Sequence, residues 1–131
     1  MRLLLDTHIA LWAIADHPNL GGKARRLIED PDSEIYISAV SVWEIAIKHS
    51  RTPDGPNGMP ISGQQALGYF RDAEFSLLPI TPDHTAAVDE LPSLHADPFD
   101  RLLIAQALTE PLRLLTRDQR IAGYTDLAVL V

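Results

Sequence analysis

Four acidic residues occupy matching places in the chain. Asp6 directly follows the apolar run Leu3-Leu4-Leu5, and Glu44 falls early in a helical stretch after Ile35-Tyr36-Ile37-Ser38. Asp100 opens another helical stretch, and Asp118 comes just after Leu112-Arg113-Leu114-Leu115-Thr116. Carboxylates gathered at one point raise one another's pKa and cannot all stay ionised without a counter-charge. A hard divalent cation supplies it, and Mg²⁺ or Mn²⁺ suits a chain whose candidate ligands are oxygens and which has no cysteine. One or two such ions would activate a water, orient a phosphodiester and stabilise the developing negative charge. Each acid also has a purely structural reading. Ser41-Val42-Trp43-Glu44 has the form of a capping box with Ser41 as N-cap, and Asp97-Pro98-Phe99-Asp100 offers Asp97 as N-cap with Pro98 as the first helical residue. Asp6-Thr7 could be a further cap. Capping accounts for each acid singly but not for an acid at four matching junctions, so spacing alone leaves both readings open.

The elements that must position these acids alternate along the chain. Strands are expected at residues 3–5, 35–38, 77–80, 112–116 and 127–131. Helices are expected from 7 to about 15, from the Gly21-Gly22 break to about 30, from 41 to about 50, from Thr81-Pro82 onward, and from 98 to about 109. Continuous apolar strands alternating with helices imply an α/β fold, a three-layer sandwich with a mainly parallel sheet flanked by helices. In such a sheet the strand C-termini and the following helix N-termini share one edge, where ligands bind. Asp6, Glu44 and Asp118 belong on that edge, and Asp100 reaches it if its helix starts there. Residues 51–63, with Pro53, Pro56, Pro60, Gly55, Gly58 and Gly63, read as a long loop.

Composition narrows the classes. With 131 residues, the chain is expected to form one domain over 1–131. No apolar run approaches the roughly 20 residues that span a bilayer, so no membrane association is expected and the cytoplasm is the expected compartment. The absence of cysteine excludes disulfides, thiolate metal sites and cysteine nucleophiles. A net charge of −7 opposes nucleic-acid binding at first sight, but two divalent ions on the acids would offset more than half of it.

Leu3-Leu4-Leu5-Asp6-Thr7-His8, Ser38 to Lys48 (SAVSVWEIAIK), His95 to Ala107 (HADPFDRLLIAQA) and Leu114-Leu115-Thr116-Arg117-Asp118 together resemble the PIN-domain proteins, and among them the VapC-type toxins of bacterial toxin–antitoxin pairs. The resemblance spans nearly the whole chain, in order. It implies the PIN-like α/β/α sandwich and an endoribonuclease that uses Mg²⁺ or Mn²⁺ held by three or four acids. By motif, Asp6 is the first-strand acid, Glu44 the helix acid, Asp100 the acid before the Leu-Ile-Ala helix, and Asp118 the more variable fourth. Asp97 is preferred as an N-cap, with a site role in reserve. The resemblance further implies an RNA substrate, a VapB-like antitoxin, and a homodimer or toxin–antitoxin hetero-oligomer. Ile9, Leu11 and Trp12 are candidates for the groove that takes an antitoxin helix, against a plain core role for each. The loop at 51–63 departs from the shorter Gly-Lys-Leu-like segment usual in the family.

Other residues carry paired readings. Thr7 and Thr116 could support a metal ligand or a metal-bound water, or merely cap turns. Arg101 and Arg117 could hold RNA phosphates, whereas Arg120 reads as solvated surface. None of the five histidines (His8, His17, His49, His84, His95) has an i, i+4 histidine partner, and each reads as structural. Trp43 reads as core, with base stacking as the alternative. Two rival functions are a receiver-type signalling domain, which would need paired acids after the first strand, and a non-catalytic α/β binding module in which the acids are only caps.

Overall fold

The structure is a computed structural model that describes residues 1–92 and 96–131; His95, with its structural reading and its place at the head of one motif, lies outside the described residues. Strands β1 (Arg2–Leu5), β2 (Glu34–Ser38), β3 (Ser76–Leu78), β4 (Arg113–Thr116) and β5 (Ala128–Leu130) form one sheet in the order β3-β2-β1-β4-β5. Every pairing is parallel. β1 is central, and its Leu3, Leu4 and Leu5 have no exposed surface. Successive strand side chains point to opposite faces. Leu3 and Leu5 join Ile35, Ile37 and Leu115 on one face, while Leu4 and Leu114 lie on the other. A strand covered on both faces needs an unbroken apolar run, which is why the alternation typical of half-exposed strands is missing here.

Helices cover both faces and make the three layers expected. The first face receives α1 (Thr7–Ala15), α2 (Gly22–Glu29), α3 (Ala39–Arg51) and α4 (Gly63–Asp72) through Ile9, Ala24, Ile45 and Phe70. The second receives α6 (Pro98–Thr109) and α7 (Gln119–Ala122) through Leu103, Ile104 and Ile121, with α5 (Pro82–Ala87) packed beside them. From β1 the sheet grows through β2 and β3 on one side and through β4 and β5 on the other. The C-terminal ends of β1 and β4 therefore flank a topological switch point, the place where open parallel sheets leave a crevice. Among the described residues no helix is long and apolar enough to cross a membrane.

Three local expectations need correction. Helix α3 begins at Ala39, not Ser41, because β2 runs into it without a loop: Ser38 ends the strand in extended geometry and its side chain accepts from Val40 N. Ser41 is thus inside the helix and fully buried. β3 ends at Leu78, short of the expected 80, with Pro79 supplying no N–H for the ladder. The segment expected to be loop as far as Gly63 gives way there to α4, capped by a reciprocal Ser62–Gln65 box. Gly63 is needed at that spot, since a Cβ there would lie 2.8 Å from Ala46 Cβ of α3.

The described histidines take structural partners, as expected, except for one. His84 is 1 % exposed; its Nδ1 accepts from Thr81 N at 3.0 Å and its Nε2 faces Glu110 at 2.5 Å. A nitrogen that accepts from a backbone N–H carries no proton, so the ring is the tautomer protonated at Nε2. His17 caps the 3₁₀ turn at Pro18–Leu20, and His49 bonds Met59 O at 2.8 Å. His8 is exposed, at the mouth of the cleft described next.

Candidate active site

Asp6 is the first residue beyond β1 and the N-cap of α1, its Oδ1 accepting from Ile9 N at 2.9 Å. Asp118 stands in the equivalent place beyond β4, capping α7 by accepting from Arg120 N at 2.9 Å. Asp97 caps α6 through Oδ1, which accepts from Phe99 N and Asp100 N. The capping reading of these three is therefore right. It fails for Glu44. With α3 starting at Ala39, Glu44 lies in the second turn, too deep to serve as a cap partner, and its side chain is turned inward and 4 % exposed. A buried carboxylate with no role at a helix end requires another explanation.

Five acids, Asp6, Glu44, Asp97, Asp100 and Asp118, line one cleft of about 190 Å³ at the switch point. The four sequence candidates and the reserve candidate are brought together. Thr7 joins them from within: its hydroxyl lies 2.7 Å from Glu44 Oε1 and 2.9 Å from Ser41 Oγ. Having one proton, Thr7 donates to the carboxylate and accepts from Ser41. Thr116 Oγ1 accepts from Asp118 N at 3.0 Å and its side chain also bonds Asp6. Both threonines thus orient acids. Thr7→Val keeps the shape but strips Glu44 of a buried donor, and a loss of about 1–3 kcal/mol in stability is expected. Urea melts would measure it, and Thr7→Ser should restore the parent value.

Burial pushes the Asp6 carboxyl above the usual carboxylate range, with the Glu44 charge adding to the rise and the bonds from Thr116 and Ile9 N working against it. The donor set is all oxygen, partly desolvated and rich in negative charge, which matches a hard divalent cation. Among the described residues no three of these side chains already converge as a ready-made cage. Glu44 Oε2 instead meets Lys48 Nζ at 2.5 Å, and Asp118 is held by Arg120.

The arginines are redistributed relative to expectation. Arg117 lies with its guanidinium 5.3 Å from the Trp12 ring centre and donates to Asn19 O. Arg101 donates to Val88 O, Leu91 O and Pro92 O and to the Tyr124 hydroxyl, tying α6 to the segment before it. Neither lines the acid cleft; among the described residues the lysine and arginine that do are Lys48 and Arg120. Lys48 was detectable as the i+4 partner of Glu44 on a helix, and Arg120 as the second residue beyond Asp118. Trp43 is 52 % exposed and meets the Phe99 ring edge-on at 5.0 Å, correcting the core reading, because the buried stripe of α3 runs through Val40, Ser41, Glu44 and Ile45.

A larger apolar groove of about 870 Å³ adjoins the cleft, sharing His8 and Lys48 with it and lined by Leu11, Trp12, Ile14, Met59, Ile61 and Tyr69. Ile9 is not part of it: that side chain has no exposed surface and belongs to the core.

Comparison with known proteins bears on the family and the fold. Ribonuclease VapC22 of Mycobacterium tuberculosis is 32% identical over 127 residues, covering 93% of this chain and 91% of that protein. Solved structures with the same fold include VapBC2 from Rickettsia felis bound to a DNA fragment from its promoter (TM-score 0.65, 20% identity, 100% of this chain and 98% of that one). A toxin–antitoxin complex from Klebsiella pneumoniae superposes with a TM-score of 0.64 at 18% identity, covering 97% of this chain and 95% of that one. The PIN-domain family model matches residues 3–127, a span that takes in β2, β3, β4, all but the first residue of β1 and all the acids of the cleft, and the chain belongs to the PIN-domain family.

Proposed function

We propose that this protein is an endoribonuclease dependent on Mg²⁺ or Mn²⁺, and the toxin of a VapBC-type toxin–antitoxin pair acting in the cytoplasm. The observation that carries the reading is the convergence of Asp6, Glu44, Asp100 and Asp118 on one small cleft at the sheet's switch point, in a chain 32% identical to a protein named as a ribonuclease. Asp6, Glu44, Asp100 and Asp118 are the residues that would hold the ion, with Asp97 beside them. When bound, the ion supplies Lewis acidity toward a phosphodiester and lowers the pKa of water. Thr7 and Thr116 fix the orientation of Glu44, Asp6 and Asp118, and Lys48 and Arg120 provide positive charge at the mouth. The apolar groove beside the cleft has a lining suited to an apolar helix, the kind of segment with which a VapB-like antitoxin would cover the acids.

Purified protein incubated with RNA should produce discrete internal cuts with Mg²⁺ or Mn²⁺ present and none in excess EDTA. Asp100→Asn should remove the activity while leaving the circular dichroism spectrum unchanged. Equal cleavage with and without EDTA would sink the metal mechanism.

A further inference from the structure

The acid cleft carries its own cations. Lys48 Nζ lies 2.5 Å from Glu44 Oε2, one helical turn along α3. Arg120 grips Asp118 through Nε at 3.2 Å and a terminal nitrogen at 3.1 Å, and its charge is also felt by Asp100 and Asp97. The partners differ in freedom. The Glu44 side chain is 6 % exposed against 46 % for Lys48, and Asp118 is 26 % exposed against 67 % for Arg120. The fold holds the acids, so the cations on their long solvated stems are the members of each pair that can move.

A divalent ion on either carboxylate competes with the ammonium or guanidinium for it, since two positive charges then crowd one anion. Tethered to α3 and α7, the displaced groups stay at the cleft mouth. There they meet the strongest anion the reaction brings, the phosphate backbone of RNA. In a chain of net charge −7 such local cations are what can draw that backbone in. We propose that Lys48 and Arg120 are exchangeable counter-ions. They neutralise Glu44 and Asp118 in the metal-free protein, and pass to the RNA phosphates flanking the scissile bond once those acids engage a divalent ion. The second half rests on the ribonuclease reading above. Metal and RNA then favour each other's binding, and by linkage the coupling is reciprocal.

Lys48→Gln and Arg120→Gln test this in the intact chain, with thermal melts to verify folding. Each should tighten Mn²⁺ binding by about three- to fivefold in calorimetric titration, the scale set by loss of one competing ion pair. Each should also weaken Mn²⁺-dependent binding of a fluorescent, hydrolysis-resistant phosphorothioate RNA oligonucleotide. Its slope of log affinity against log salt should fall by about 0.7 for each cation removed, and Lys48→Arg should restore the slope. Mn²⁺ affinity that is unchanged or weaker would overturn the exchange and leave the cations as mere supports of the acids. Tighter Mn²⁺ binding with an unaltered RNA salt slope would uphold the counter-ion role and overturn the transfer to phosphate. Since neither titration needs turnover, a parent protein that passes both yet cuts no RNA refutes the ribonuclease reading alone.

Discussion

Asp6→Asn should slow RNA cleavage by a factor on the order of 10²–10³, the usual cost of deleting one preorganised charge-stabilising group, and should at the same time raise the melting temperature of the metal-free protein at neutral pH. On the proposed function, activity would fall because the carboxylate nearest the centre of the sheet would no longer bring charge to the ion. Stability rises because that charge is costly: Asp6 is 7 % exposed, and burial raises its pKa above the ordinary value of 3.8. As pH rises from below 3.8 toward the folded value, the unfolded chain loses this proton before the folded one does. In that window the folded state binds more protons, so stability falls with rising pH, and the deficit persists at pH 7. Asparagine removes the deficit and still caps α1, since its carbonyl oxygen can accept from Ile9 N as Asp6 Oδ1 does. Melting curves in EDTA from pH 3 to 8 should show the variant gaining on the parent as pH rises. A variant that melts below the parent at pH 7 contradicts the burial argument, and one that cuts RNA at the parent rate removes Asp6 from the site.

The largest loss of stability is expected at Phe70. Its ring, on α4, is fully buried in the core on the first face of the sheet. Phe70→Ala should cost about 3–5 kcal/mol, combining lost transfer energy with the cavity left behind. A domain of this size holds only about 5–15 kcal/mol in total, so the variant should lose a large share of its stability. The urea midpoint should fall while the slope of the transition stays the same. A shift below about 1 kcal/mol would mean that α4 is not part of the cooperative core.

Phe70 also marks a limit of what the sequence makes legible. Helix α4 begins at a glycine, contains a second at Gly68, and follows a segment dense in proline and glycine, so the breaker signals mask it. Its start was nonetheless written in Ser62-Gly63-Gln64-Gln65, a capping-box pattern that the structure realises. Helix α6 was legible to its first residue because Asp97-Pro98 combines an N-cap with a proline suited only to position N1. For α3 the capping-box form of Ser41-Val42-Trp43-Glu44 favoured a start at Ser41, whereas the cap is Ser38, the last residue of β2. Tertiary structure chose, by joining β2 directly to the helix and giving Ser41 to Thr7. The acids of the cleft were readable because strand-end positions follow from a parallel sheet. Their supports, Thr7 and Thr116, were legible only as one of two alternatives, since the bond between Thr7 and Glu44 spans 37 positions in the chain. The pairing of Arg117 with Trp12 depends likewise on contacts that spacing does not encode.

The order β3-β2-β1-β4-β5 has a consequence for the cell that makes this chain. Asp6 and Glu44 emerge early in translation, whereas the wall of the cleft that bears Asp100 and Asp118 emerges late. β1 acquires its second neighbour only when Leu3, Leu4 and Leu5 meet Arg113, Leu114 and Leu115. Until then one edge of the central strand is unpaired, and Asp97, Asp100 and Asp118 are missing from the rim. On the proposed ribonuclease function, a nascent chain in that condition lacks acids needed to cut the RNA around it. The fold itself delays the hazard until synthesis has passed residue 118.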